Sequence, residues 1–301
     1  MKQVLFTGSG AALVTPMHRD GSINFSALKQ LLDVQIENGT NAVIICGTTG
    51  EAPTLSDEEH LEAVGFAVEC AAHRVPVIAG TGSNDTRHAI AMSRRARALG
   101  ADGLLVVTPY YNKTSQTGLL RHFTAIADAA GLPMIVYNVP ARTGVNIEPE
   151  TYLALSRHPL IVAAKEASGD IAAAARTAAL CGDALTLYSG NDDCIVPMLS
   201  LGAKGVISVL ANLAPRAVRA LCDAYFAGDV RESLRLQLFY LPLIRALFSD
   251  VSPVPVKTAL EMTGFPAGPC RLPLAPMAED KRRALAEQMT ACGIPVRKEA
   301  V

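Results

Sequence analysis

The sequence predicts an α/β fold, a (β/α)8 TIM barrel with a C-terminal helical extension. Three observations lead there. Eight short apolar runs occur before about residue 227, each followed by a segment of helical pattern. The runs are continuous rather than alternating, so both faces are buried, as in a parallel sheet. The unusual polar clusters fall just beyond the ends of the runs, where a barrel concentrates its chemistry. A doubly wound sheet would fit fewer strands better.

The first strand is expected at Gly10–Pro16. Gly8-Ser9-Gly10 is not a dinucleotide fingerprint, because Leu13 stands where a third glycine belongs and the motif should follow a strand rather than open one. A helix is expected from Ser26, as N-cap, to Gly39, as C-cap. The second strand, Asn41–Cys46, ends in Gly47-Thr48-Thr49-Gly50-Glu51, and Ser56-Asp57-Glu58-Glu59 reads as a capping box for the next helix. Strands then follow at Pro76–Gly80, Gly103–Thr108, Met134–Tyr137, the run ending on Lys165, Leu185–Tyr188 and Gly205–Ser208. Helices are expected at Asp85–Leu99, Thr114–Ala130, Glu148–His158, Asp170–Cys181 and Pro215–Phe226. Beyond them, Glu232–Phe248 reads as an amphipathic helix interrupted near Pro242, with further helices at Pro255–Met262 and Ala278–Cys292. The expected division is a barrel bearing the site, residues 1–227, and an α-helical extension, residues 228–301.

Composition narrows the function. Half of the 301 residues are apolar, 18% are charged and the net charge is −1. That gives no electrostatic footprint for nucleic acid or an anionic membrane. No apolar run approaches the ~20 residues of a membrane helix, and the N-terminus lacks a signal-peptide pattern, so a cytoplasmic protein is expected. The seven cysteines are scattered without a C-x-x-C pair, which fits free thiols in a reducing compartment. No histidine pair has metal-ligand spacing, so no metal site is expected from His and Cys, while a carboxylate site stays open.

The chemistry centres on Leu160-Ile-Val-Ala-Ala-Lys165-Glu166. A lysine at the end of a buried strand has its stem in the core and its amine near the mouth, where burial lowers its pKa. A neutral amine attacks a carbonyl and forms a Schiff base. The plain alternative is a strand-end lysine reaching solvent. Several strand ends supplying reactive side chains argue against that. Tyr137 ends the preceding strand and can relay protons to Lys165, with Thr48 and Tyr111 extending the relay. Thr49 and the loop amides suit the carboxylate of an α-keto acid. The Arg142 guanidinium suits a second carboxylate. Tyr110 and Tyr111 could instead be packing aromatics, and Arg142 a surface cation.

GTTGE at 47–51, TPYYN at 108–112, YNVPARTG at 137–144, KEASG at 165–169, SGND at 189–192 and GVISV at 205–209 together resemble the dihydrodipicolinate synthases, within the wider pyruvate-dependent lyases. The likeness runs from the first strand through RLPLAPM at 271–277. It implies condensation of pyruvate with L-aspartate 4-semialdehyde in diaminopimelate and lysine synthesis, without a cofactor beyond the covalent lysine imine. Lys165 would form that imine. Tyr137, Thr48 and Tyr111 would relay protons, with Tyr111 reaching a neighbouring subunit's site. Thr49 and Ile207 would contact pyruvate, Gly190 would line the pocket and Arg142 would receive the semialdehyde. A homotetramer, a dimer of dimers, is implied.

The departure concerns regulation. His60, Asn84 and Tyr110 match the pattern of an allosteric lysine site, but His88 stands where a glutamate is expected. Weak or absent feedback inhibition follows. Two other readings stay open at this level: a sibling lyase acting on N-acetylneuraminate or keto-deoxy acids, and a catalytically silent barrel acting as sensor or scaffold. A phosphate-binding barrel is disfavoured by the glycine-poor Val209-Leu-Ala-Asn212 after the last strand.

Overall fold

In the computed structural model, which describes residues 2–297, the strands are short and wholly parallel. They are β1 (Gly8–Ala12), β2 (Ala42–Ile45), β3 (Val77–Gly80), β4 (Gly103–Val107), β5 (Met134–Asn138), β6 (Ile161–Glu166), β7 (Thr186–Ser189) and β8 (Gly205–Ser208). They pair in sequence order, and β8 returns to β1 to close the barrel, with Gly8 opposite Gly205 and Gly10 opposite Ile207. Only glycine fits this seam. Gly205 has φ +154°, and a Cβ there would strike the Gly8 carbonyl oxygen.

The helices are α1 (Phe25–Glu37), α2 (Asp57–Ala71), α3 (Thr86–Ala98), α4 (Gln116–Ala130), α5 (Pro140–Thr143), α6 (Pro149–Leu155), α7 (Ile171–Cys181), α8 (Ile195–Ser200) and α9 (Pro215–Phe226). After them come α10 (Val230–Leu247), α11 (Val254–Thr263) and α12 (Glu279–Ala291), which pack on one another and on α9. The Ser56 capping box is present: the Ser56 hydroxyl accepts the Glu59 amide at 3.2 Å, and Glu59 Oε2 accepts the Ser56 amide at 2.9 Å. Among the described residues no helix is long and apolar enough to cross a membrane.

Several local expectations are corrected. β1 begins two residues earlier than expected and stops at Ala12. Helix α1 is capped by Asn24, whose Oδ1 accepts the Ala27 amide at 3.0 Å, so Ser26 falls inside the first turn, and the C-cap is Asn38 rather than Gly39. Helix α10 runs unbroken through Pro242. The carbonyl that proline leaves without a donor belongs to Leu238 on the exposed face, so it is not left buried. The short helices α5 and α8 have no expected range; α8 is the helix that follows the seventh strand. The expected extension ends in residues 298–301, outside the described residues.

Two apolar layers hold the fold. Inside the barrel, Ile44, Ile78, Leu105, Ile135, Val162 and Ile207 fill the lumen. At its amino-terminal end Phe6 stacks on Tyr188, with ring centroids 4.3 Å apart, and the Tyr188 hydroxyl donates to the Phe6 carbonyl at 2.6 Å. Outside, Leu28, Leu32, Val64, Phe123, Ile126 and Leu155 pack in the layer between helices and strands. Each such buried side chain contributes roughly 1.5–3 kcal/mol.

Candidate active site

The parallel register brings Tyr137 and Lys165 together. They are Cα partners across β5 and β6, and Lys165 in turn partners Tyr188 on β7. Paired residues on neighbouring strands point to the same face, here the lumen. Lys165 is 5% exposed, and its Nζ lies 4.3 Å from the centre of the Tyr137 ring. Burial lowers the Lys165 amine to about 8, with Asp192 opposing the shift and Arg142 adding to it. Burial raises the Tyr137 phenol, while Arg142 and a hydrogen bond from Thr48 pull it back.

Tyr137 also forms part of the wall of a cavity of about 350 Å³. Thr48, Tyr137 and Arg142 line it, together with His60, His88 and Tyr110. Thr48 comes from the turn after β2, where the Gly50 amide bonds the Gly47 carbonyl at 3.0 Å and the Glu51 amide bonds the Thr48 carbonyl at 3.1 Å. Arg142 comes from α5, capped by Gly144 in the left-handed region, and its Nη2 donates to the Ser252 carbonyl at 3.1 Å.

A frame of buried charges supports these turns. Glu166 accepts from Asn138 Nδ2 at 3.1 Å, the Tyr152 hydroxyl at 2.8 Å and the Ser168 amide at 2.7 Å. That ties the ends of β5 and β6 to α6. Glu51 ends the GTTGE turn at φ 57° and meets Lys257 of α11 at 2.8 Å, while Lys257 also bonds the Thr15 and Pro269 carbonyls at 3.1 and 2.7 Å. The helical extension therefore braces two walls of the cavity, through Lys257 and through Ser252. Asp192, in the turn after β7, is 2% exposed and accepts the Val209 and Leu210 amides at 3.0 and 2.9 Å. Burial raises its carboxyl, and donors from Ser208, Leu210 and Val209 oppose the rise. Sequence reasoning missed Glu166, Asp192 and Lys257 as site residues; the signal it passed over was the acid inside the KEASG and SGND clusters.

The expected residues divide into three groups. Thr48, Tyr137, Arg142, His60, His88 and Tyr110 share the cavity wall. Lys165, Thr49, Gly190 and Ile207 are not part of that wall: Lys165 and Ile207 lie near the carboxyl ends of β6 and β8, and Thr49 and Gly190 in the turns after β2 and β7; Lys165 and Thr49 are 5% exposed and Ile207 is fully buried. At Gly190 the chain approaches β6 so closely that a Cβ would lie 2.6 Å from that of Ala167, and its amide donates to the Glu166 carbonyl at 2.7 Å. Tyr111 and Asn84 stand apart. Tyr111 is 92% exposed at φ 68°, and Asn84 lines a smaller cavity with Asn112 and Lys113. His60 and His88 are already bonded, to the Gly80 carbonyl at 2.7 Å and to Asp57 Oδ1 at 2.9 Å.

This geometry has close relatives. A 4-hydroxy-tetrahydrodipicolinate synthase of Caldicellulosiruptor saccharolyticus is 51% identical over 294 residues, covering 98% of this chain and 99% of the relative. The enzyme of that name from Lachnoclostridium phytofermentans is 52% identical over 291 residues, covering 96% and 99%. Among solved structures, the chloride-inhibited dihydrodipicolinate synthase of Acinetobacter baumannii complexed with pyruvate superposes with a TM-score of 0.94 at 43% identity, covering 96% of this chain and 99% of that one. The Cyanidioschyzon merolae protein with lysine bound gives 0.94 at 39% identity, covering 97% and 100%. The profile of the dihydrodipicolinate synthetase family matches residues 5–292. With a barrel closed in the same way and a likeness spanning nearly its whole length, this chain belongs to the dihydrodipicolinate synthetase family.

Proposed function

We propose that this protein is a 4-hydroxy-tetrahydrodipicolinate synthase, condensing pyruvate with L-aspartate 4-semialdehyde at an early step of diaminopimelate and lysine synthesis. One observation carries the reading: a lysine amine lowered to about 8, buried against a tyrosine at the mouth of a barrel. Near neutral pH a usable fraction of that amine is unprotonated and nucleophilic.

The Lys165 lone pair adds to the keto carbon of pyruvate. The carbonyl oxygen takes up protons through Tyr137 and leaves as water, and the nitrogen keeps the positive charge as an imine. Loss of a methyl proton gives the enamine, whose carbon attacks the aldehyde. The amino group of the semialdehyde then closes on the former keto carbon and frees Lys165. Tyr137 and Thr48 serve as the proton relay. Thr49, Gly190 and Ile207 bound the pyruvate end, and Arg142 receives the semialdehyde carboxylate. The exposure of Tyr111 supports its serving a neighbouring subunit, and so supports a homotetramer built as a dimer of dimers. The covalent imine makes a further cofactor unnecessary to this chemistry.

The test is turnover of pyruvate with L-aspartate 4-semialdehyde, followed by borohydride trapping of pyruvate. Turnover in the wild type, lost in Lys165→Ala together with the trapped adduct, is the expected result. A trapped adduct without turnover would assign the chain to a sibling lyase, and no adduct would remove the imine chemistry.

A further inference from the structure

One buried carboxylate at the barrel mouth has no role in the steps above. Asp192 follows β7 by three residues, and the turn that carries it is pinned to β6 by the bond from the Gly190 amide to the Glu166 carbonyl. Its main-chain carbonyl is held by Gln237 Nε2 of α10 at 2.8 Å. Oδ2 takes both amides from the turn after β8, while Oδ1 has no hydrogen-bond partner among the described residues. A buried carboxylate oxygen without a donor is costly unless a cation offsets it. The neighbouring acid, Glu166, is different. Its Oε1 accepts the Ser168 amide and its Oε2 the Tyr152 hydroxyl, with Asn138 Nδ2 reaching both.

We propose that Asp192 is the counter-charge of the Lys165 nitrogen, offsetting first the ammonium and then the protonated imine that replaces it. This rests on the reading of Lys165 as the imine-forming residue. Both residues are buried, and Lys165 is the Cα partner of Tyr188, on the strand from which the Asp192 turn departs. The Tyr137 ring of β5 covers the Lys165 nitrogen, and the charges that act on that nitrogen are Asp192, which favours the ammonium, and Arg142 of α5, which opposes it. Asp192 in turn is stabilised as a carboxylate by the Ser208 hydroxyl and by Lys165, and its charge acts on Cys222 of α9. Arg142 and burial both work against a positive nitrogen, and Asp192 works for it. Ammonium and imine carry the same charge at nearly the same place. Asp192 therefore acts as a positioning charge: it leaves their balance unchanged and favours both over the neutral amine.

That asymmetry defines the experiment. In Asp192→Asn, which keeps an oxygen for the two amides, borohydride trapping of pyruvate is followed from about pH 6 to about pH 10, spanning the shifted lysine. The midpoint of the trapping rate should fall by about one pH unit, the size of effect expected on losing a nearby opposite charge. Pyruvate half-saturation should rise about tenfold toward the alkaline end of that range and stay nearly unchanged at its acid end. An unmoved midpoint, or weaker binding by the same factor at every pH, overturns the proposal and leaves the imine reading intact. A wild type that traps no pyruvate removes both. Should Asp192→Asn not fold, infrared difference spectra of the wild type decide. Gain of a protonated-carboxyl band on adding pyruvate overturns the proposal, and its absence supports an ionised Asp192 beside the imine.

Discussion

Tyr137 and Lys165 face each other across the β5–β6 ladder, with the lysine nitrogen 4.3 Å from the centre of the tyrosine ring. The ring both covers the amine and sets a hydroxyl at the cavity wall. Tyr137→Phe keeps the cover and deletes the hydroxyl. Its kcat should fall by about 100-fold or more, the usual scale for a lost proton relay. Trapping of pyruvate on Lys165 should persist at a reduced rate, as intact-protein mass spectrometry would show.

The acid limb of adduct formation belongs to Lys165. Its amine is protonated below about 8 and nucleophilic above it. The trapping rate should therefore rise with pH through that value and then level off. A rate still climbing toward the ordinary lysine range would show that burial does not tune this amine.

The proposed chemistry gives Arg142 the semialdehyde and not pyruvate. It is exposed at the cavity rim and oriented by the Ser252 carbonyl. Arg142→Ala should retain pyruvate trapping, with its pH midpoint moved upward because Arg142 no longer lowers the Lys165 amine, and reduce kcat/KM for the semialdehyde by about 100-fold, consistent with loss of a bidentate charge-assisted contact. Equal losses for both substrates would contradict that division.

The Lys257–Glu51 pair is buried on both sides, with side chains 2% and 0% exposed. Lys257→Met strands the Glu51 carboxylate and should cost about 3–5 kcal/mol, read from urea unfolding. Adding Glu51→Gln should recover part of that loss, because the second change removes the unpaired charge. A single variant as stable as the wild type would deny the pair its bracing role.

Feedback control offers a further check. The resemblance expects a carboxylate for an effector ammonium at position 88, where this chain has an imidazole bonded to Asp57. A lysine titration of turnover should show weak inhibition or none. Strong inhibition at sub-millimolar lysine would overturn that expectation.

What could be read in advance depended on how far apart the partners lie in the chain. Strand composition, the Ser56–Glu59 capping box and a lysine at the end of a buried run are local signals, and each appears where expected. Asp192 looked like one polar residue in a turn, because the amides that hold it come from residues 209 and 210. Lys257 gave no local signal within the expected Pro255–Met262 helix, since its partner Glu51 is 206 residues away. The Pro242 expectation failed for the same reason: whether a proline breaks a helix depends on which face its unpaired carbonyl meets, and that is set by tertiary packing. Tyr111 differs again: it is 92% exposed, away from the cavity that Tyr137 and Thr48 line, so its proposed part in the relay is not met within one chain.

The Phe6–Tyr188 stack lies beneath a lumen filled by side chains, so the proposed chemistry works through the carboxyl-terminal mouth of the barrel. On that proposal the keto acid bound for Lys165 arrives before the aldehyde that docks at the Arg142 rim, and the product departs by the way its precursors came. Crowding the doorway with the second substrate should therefore slow the first, so an excess of semialdehyde becomes an obstacle rather than an aid.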